Sequence, residues 1–249
     1  MSPIVWRVEH FEEIDSTNTY LKRRVLDGSS EGLVAFADFQ SAGRGRLDRS
    51  WVAPPRTSLL FSVALRPTLD ANDLQLAVAA VALATRGALE RLSGLRAQLK
   101  WPNDLIVGDR KLGGVLAEIV APPSGFDVVV GVGLNLTYEG PEDGGGTSVK
   151  AETGLTLEPR GVLDIVLEEL EVRREQLDSK EGRTRLHADY ERALSTIGMS
   201  VGVEQHDGAR EGRAQGVDEA GRLIVEIDGE LEVFGVGDVV HLRASEVPR

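Results

Sequence analysis

Apolar and polar positions alternate at the start of the chain. Val5, Trp6, Val8, Phe11 and Ile14 mark a first strand with irregular ends. Asp15-Ser16-Thr17-Asn18 then offers small oxygen-bearing side chains suited to a helix N-cap, so a short helix is expected over 21–26. A second strand is predicted over 33–39. Residues 40–55 are rich in Gly, Arg and Pro and poor in apolar side chains, which predicts a long loop. Such loops are uncommon inside compact domains and often functional. The continuous apolar run over 57–65 predicts a buried strand.

Leu74, Val78, Val81, Ala88 and Leu92 recur near the helical period, giving an amphipathic helix over 70–93. Strand-like segments follow at 95–101, 104–108, 111–121 and 126–134, with Gly108-Asp109 as a hairpin turn. Residues 141–147, with Gly144-Gly145-Gly146, read as a flexible surface loop. Leu163, Val166, Leu167, Leu170 and Leu177 share one helix face behind Pro159, and another helix is expected over 183–195. From Met199 the texture changes. Short strands near 200–206, 210–217, 222–227 and 230–236 are separated by Asp207-Gly208, Glu219-Ala220-Gly221 and Asp228-Gly229, and Val239 to Arg243 closes the chain. Close spacing of this kind predicts a small β-barrel or meander. The expected division is 1–197 and 198–249, and no internal repeat is visible.

The formal net charge of -12 argues against nucleic acid as the main partner, because attraction to a polyanion needs clustered Lys and Arg. No apolar run approaches the ~18 residues of a membrane span, and Met1 to Arg7 lacks the features of a signal peptide. With no cysteine in the chain, a disulfide framework, a zinc–thiolate site and a cysteine nucleophile are excluded. That composition suits a reducing cytosol, and a cytoplasmic location without membrane or DNA partners is expected.

Candidate chemistry lies in four segments. In Gly43-Arg44-Gly45-Arg46-Leu47-Asp48-Arg49-Ser50-Trp51, glycines permit close backbone approach and arginines offer planar recognition of phosphate or carboxylate. Alone, it suits a solvated basic loop as well as an anion-binding one. Lys100-Trp101-Pro102-Asn103-Asp104 combines a point charge, an amide and a carboxylate, and is also good turn chemistry. Lys111-Leu112-Gly113-Gly114-Val115-Leu116-Ala117-Glu118 is either a strand with a charged entrance or an ordinary strand with a bulge. Gly131-Val132-Gly133-Leu134-Asn135 mimics the start of a dinucleotide fingerprint, but the third glycine and the following helix are missing. No P-loop sequence is present.

In this order, together with Ser16-Thr17-Asn18, the four segments resemble the biotin–protein ligases over nearly the whole chain. The resemblance implies an α+β fold: a mixed sheet with helices like that of class II aminoacyl-tRNA synthetases and biotin ligases, plus a small C-terminal SH3-like β-barrel. It implies ATP and biotin as substrates with Mg²⁺, activation of biotin as biotinyl-5′-AMP, and transfer to a lysine of a biotin carboxyl carrier protein domain.

The same match implies roles for individual residues. Lys111 and Arg46 would be catalytic. Ser16, Thr17, Asn18, Gln40, Arg44, Gly45, Arg46, Lys111, Gly114 and Leu116 would contact biotin. Arg46, Trp51, Lys100, Asn103 and Asn135 would contact the nucleotide, with Arg44 and Arg46 on phosphate oxygens. Asp104 would be a Mg²⁺ or ligand-orienting residue, while Leu99 and Trp101 belong to the core. The family commonly has glycine where this chain has Asp48. Some relatives carry an N-terminal helix-turn-helix repressor domain, for which no room is expected ahead of Ser16. The family includes monomers and homodimers paired through sheet edges, so a homodimer stays open. Two rivals remain: a lipoate–protein ligase, disfavoured by the Gly-Arg-Gly-Arg and Lys-Trp-Pro-Asn-Asp pair, and a biotin-binding regulatory protein without turnover.

Overall fold

The apolar run expected to be a buried strand forms β3 (Ser58–Leu65), in which every residue is buried. A strand buried on both faces needs cover on both, and helices packed on either side of the sheet supply it. The computed structural model describes residues 4–121, 127–140, 145–205, 208–235 and 238–241. Around β3 lie β1 (Arg7–Phe11), β2 (Leu33–Ala37), β4 (Gln98–Lys100), β5 (Asp104–Val107), β6 (Arg110–Val120) and β7 (Asp127–Asn135). They form a seven-stranded sheet of order β1-β2-β3-β7-β6-β5-β4. β1 and β2 run parallel, joined by the crossover helix α1 (Thr17–Leu26), and the remaining neighbours are antiparallel.

One face of the sheet is covered by α1, whose Leu21 and Val25 pack with Leu33, Ala35, Ala64 and Val129. The other face carries α2 (Leu74–Ser93), α4 (Pro159–Gln176) and α5 (Lys180–Ala193), contributing Val81, Leu89, Leu163, Leu170 and Leu186 to the main core. α2 ends where Gly94 takes φ +71, a left-handed conformation suited to a helix C-terminus.

Several boundaries differ from the expectation, each with a local cause. α1 begins at Thr17 because Ser16 is the N-cap, accepting from Thr19 N at 3.4 Å, so Thr17 and Asn18 lie inside the first turn. Residues 71–73 form a 3-10 turn ahead of α2. α5 starts at Lys180, three residues early, behind the Ser179 cap. A five-residue helix α3 (Val149–Thr153), capped by Ser148, was too short to register as a period. The expected surface loop over 141–147 is corrected in part. Residues 141–144 lie outside the described residues, but Gly145 and Thr147 bond to the Lys111 backbone and Thr147 is fully buried.

The C-terminal strands are β8 (Ser200–Gln205), β9 (Gly208–Val217), β10 (Leu223–Ile227), β11 (Glu230–Phe234) and β12 (Asp238–His241). All pair antiparallel in the order β11-β10-β9-β8-β12, so the last strand returns to the first. Asp228 and Gly229, at φ +54 and +86, make the β10–β11 turn expected from their sequence. Asp207 and residues 242–243, which entered the expected turn and last strand, lie outside the described residues. Val201, Val203, Leu223, Val225 and Phe234 join the same core cluster as α2 and α4, so the small sheet packs directly on the larger unit.

Candidate active site

A cavity of about 300 Å³ opens over the α1 face of β6 and β7. Its floor owes its depth to glycine. Paired residues of an antiparallel ladder point to one face, so Ser62, Gly131 and Leu116 line up, and beside them Leu60, Gly133 and Gly114. A Cβ on Gly133 would lie 2.7 Å from Trp51 Cδ2 and Nε1, so the Trp51 indole rests directly on that backbone. A Cβ on Gly131 would collide with Asn18 Oδ1. The Gly-x-Gly sequence therefore serves two side-chain seats in an antiparallel strand, in keeping with rejection of the dinucleotide reading.

Polar groups crowd one end. Gln40 Oε1 accepts from Thr17 N at 2.8 Å and from Thr17 Oγ1 at 2.9 Å. Ser62 Oγ lies 2.7 Å from Thr17 Oγ1 and 2.6 Å from Asn18 Oδ1. Asn18 Nδ2 donates to Glu118 Oε2 at 2.9 Å. Ser16, Thr17, Asn18 and Gln40 all line the cavity, so this end presents donors and acceptors together.

Over the cavity lies the Gly/Arg segment, and it is more ordered than a long loop. Gly43 accepts from Trp51 N, Arg44 bridges Ser50, and Gly45 N donates to Arg49 O at 2.7 Å. Arg49 N closes the tip on Arg46 O at 3.1 Å, with Leu47 and Asp48 at φ +51 and +57. Two positive φ values inside a four-residue turn are the signature of a tight hairpin, usually supplied by Gly or Asn. The substitution of Asp for the family's glycine at 48 thus falls on a left-handed residue, where Asp is tolerated better than most.

Opposite lies the β4–β5 turn. Gln75 Nε2 donates to Pro102 O at 2.5 Å and to the Tyr190 hydroxyl at 2.8 Å, so α2 and α5 both brace it. Burial pushes the Tyr190 phenol well above its ordinary pKa, offset in part by the Gln75 hydrogen bond and the Arg46 charge. Trp101 is buried, donating from N to Thr196 and from Nε1 to Gly221 O at 3.1 Å; Leu99 is buried as well. Asn103 exchanges hydrogen bonds with Val115 at 2.8 Å, and Arg46 reaches Asn103 Oδ1 at 3.5 Å.

Lys111 arrives by a bulge. β5 and β6 pair Leu105 with Gly113 but Ile106 with Lys111, so Leu112 is the extra residue. One inserted residue reverses the alternation and turns Lys111 onto the face of Gly114 and Asp104. There Lys111 Nζ meets Asp104 Oδ1 at 2.6 Å and lies 6.0 Å from the Trp51 ring centroid. Gly114 lies directly beside the pair, where a Cβ would be in ordinary contact with Lys111 Cε at 3.6 Å.

Of the residues expected from the sequence, Ser16, Thr17, Asn18, Gln40, Arg44, Gly45, Arg46, Trp51, Lys100, Asn103, Asp104, Lys111, Gly114 and Leu116 all line this one cavity. Asn135 does not. Its buried amide donates to Thr147 O at 3.0 Å, tying β7 to the segment beside Lys111. Arg44 pairs with Glu118 at 2.9 Å. Asp104 has Lys111 as its ionic partner, and no group of three or more His, Asp or Glu residues suited to a metal occurs among the described residues. The sequence expectation missed Ser62, Glu118, and Glu204, Val239 and Val240 from the small sheet, which line or support the cavity. Glu118 stood in the Lys-x-x-Gly-x-Leu-x-Glu segment and could have been found there.

Comparison with known proteins agrees with this arrangement. The pattern of the biotin/lipoate A/B protein ligase family matches residues 10–135, and that of the biotin protein ligase C-terminal domain matches 196–242. A biotin–[acetyl-CoA-carboxylase] ligase of Mycobacterium tuberculosis is 36% identical over 96% of this chain and 90% of its own length. The bifunctional ligase/repressor BirA of Escherichia coli is 30% identical over 94% of this chain and 73% of its own. The structure of the Aquifex aeolicus biotin protein ligase in complex with biotin and ATP superposes with a TM-score of 0.82 at 28% identity, covering 96% of this chain and 99% of that one. With its motifs gathered around one cavity and both family patterns matched in order, the chain belongs to the biotin/lipoate A/B protein ligase family, among the biotin protein ligases.

Proposed function

We propose that this protein activates biotin with MgATP and transfers the biotinyl group to a lysine of a biotin carboxyl carrier domain. The observation that carries the reading is the convergence of Lys111, the Arg44–Arg46 hairpin and the Ser16–Asn18 and Gln40 cluster on one cavity. In the first step a biotin carboxylate oxygen bonds to the α-phosphorus of ATP, the bond to the bridging oxygen breaks, and pyrophosphate leaves. In the second, the acceptor lysine nitrogen bonds to the carbonyl carbon, AMP leaves with the electron pair of the broken C–O bond, and the surplus proton passes to solvent.

A carboxylate approaching a polyphosphate is opposed by charge. At ~4 Å, two unit charges repel by roughly 4 kcal/mol at an effective dielectric near 20. Lys111 Nζ is the catalytic group that offsets this repulsion and the charge developing in the transition state, and Asp104 holds it in place. Arg46 sits on the hairpin beside Asn103 and serves the phosphate end. Ser16, Thr17, Asn18 and Gln40 suit a ureido ring, which needs donors and acceptors at once. Trp51 and the closed hairpin exclude the water that would hydrolyse the mixed anhydride. Units 1–197 and 198–249 divide the work, the second closing the cavity with Glu204, Val239 and Val240. A homodimer built by sheet-edge pairing would use β1, because the outer edge of β4 is taken by Leu194 and Ser195. No described helix is long and apolar enough to cross a membrane; a cytoplasmic site of action is part of the same proposal, since it supplies ATP and carboxylase acceptors.

Incubation with MgATP and either biotin or lipoate, followed by mass analysis of the adenylate and of a carrier domain, tests the reading. Biotinyl-AMP and a biotinylated carrier are expected. Lipoyl-AMP alone would favour the lipoate rival, and ligand binding without any adenylate would favour a binding protein. Lys111→Ala is expected to slow adenylate formation about 100-fold or more while changing biotin affinity only a few-fold, because its charge is required in the transition state. Equal losses in both would refute that role.

A further inference from the structure

We infer that Glu118 is a positioning residue that latches the Arg44–Arg46 hairpin over the cavity, joining it to the polar cluster that would grip the biotin ring. The inference rests on the biotin-ligase reading for its consequence in catalysis, but the latch itself is a feature of geometry. Glu118 lies on β6 with a side chain 16% exposed. Its Oε1 accepts from Arg44 of the hairpin at 2.9 Å and from Lys22 of α1 at 2.7 Å. Its Oε2 accepts from Asn18 Nδ2 at 2.9 Å. One carboxylate on β6 thus binds both the hairpin, through Arg44, and α1, through Asn18 and Lys22.

The connection continues. Asn18 Oδ1 takes the Ser62 hydroxyl, Ser62 meets Thr17, and Thr17 meets Gln40, where the Gly/Arg segment begins. Arg44 and Gln40 therefore anchor the segment at two points of a single network under the cavity. Burial alone would push the Glu118 carboxyl up, yet the Lys22 and Asn18 hydrogen bonds and the Lys22 and Arg44 charges hold it below its ordinary value. It remains an acceptor at neutral pH, as a latch of this kind requires. Arg44 in this arrangement holds the cover shut, and the phosphate contact falls to Arg46. A ligand that orders Asn18 and Gln40 would stiffen both anchors together, coupling occupancy of the polar end to closure at the reaction end.

The three arginines of the hairpin make the test direct, because trypsin cleaves after each when the segment opens. Cleavage after Arg46 and Arg49, measured relative to cleavage elsewhere in the chain, is expected to rise about three- to tenfold in ligand-free Glu118→Gln, the loss of one charge-assisted contact. Release of biotinyl-AMP is expected to accelerate by a similar factor, with a smaller change in the rate of its formation. Arg44→Met, at a side chain 43% exposed, should reproduce both effects if Glu118→Gln proves hard to express. The double variant should be no worse than Arg44→Met alone. Additive effects, or wild-type cleavage in both single variants, would overturn the latch. Failure of the substrate reading would show differently, as the absence of biotin-dependent protection in the unsubstituted protein.

Discussion

Gly133→Ala isolates the seat of Trp51 with a single methyl group. The new Cβ would lie 2.7 Å from Trp51 Cδ2 and Nε1, whereas relaxed carbon contacts lie near 3.5–4.0 Å. The indole must rise by about 1 Å or swing away, because β7 is held on both sides by β3 and β6. Overpacking of this kind costs about 1–3 kcal/mol. Complete loss of the seat sets a ceiling: a Trp burying ~150–250 Å² at ~25 cal/mol per Å² forfeits roughly 4–6 kcal/mol. A fold with about 5–15 kcal/mol of stability survives the smaller figure. Since Trp51 N bonds to Gly43 O, the base of the hairpin moves with the ring. We expect biotinyl-AMP to escape about tenfold to 100-fold faster, the counterpart of ~1.4–2.8 kcal/mol. Trp51 Nε1 is buried without a hydrogen-bond partner, so displacement into water should red-shift its emission, assigned by comparison with Trp51→Phe. The decisive measurement is the cycle with Trp51→Ala. Adding Gly133→Ala to Trp51→Ala should cost little more, because the collision is gone. Wild-type adenylate retention with unchanged emission in Gly133→Ala would refute the reasoning, as would strict additivity in the cycle.

Two further outcomes follow from the same geometry. Asp48→Gly should leave stability within about 1 kcal/mol of the parent, whereas Asp48→Val should lose about 1–2 kcal/mol and open the hairpin to trypsin, because a β-branched residue is poorly suited to φ +57. Equal melting temperatures for the two would argue against a strained turn. Arg174→Met removes a guanidinium that is 5% exposed and binds Glu31 and Asp178, taking that cation from both carboxylates and leaving them the Arg66 and Thr68 backbone N–H groups. A loss of about 3–5 kcal/mol is expected, or roughly 10 °C in the thermal midpoint, with turnover per folded molecule retained because the cluster lies outside the cavity.

The chain's own pattern determined most of the elements and the family. Helical spacing along α2 and α4, the continuous apolar run of β3 and the turn residues at Asp228-Gly229 are local signals, so they could be read without a partner in view. The chemical segments were legible together: each alone fitted an ordinary loop, turn or strand, and their order carried the resemblance. What the sequence left open was settled by contacts between distant segments. Lys111 faces the cavity only because a bulge against β5 reverses its side, and periodicity carries no mark of an extra residue opposite another strand. Arg44 turns to Glu118, 74 positions away, and Asn135 turns from the cavity to Thr147. The sequence already ruled out a nucleotide fingerprint at Gly131 and Gly133, but only the fold shows Asn18 and Trp51 resting on them. Local conformation follows from local sequence, but which way a charged side chain points depends on the free energy of pairing it with groups that only folding brings near.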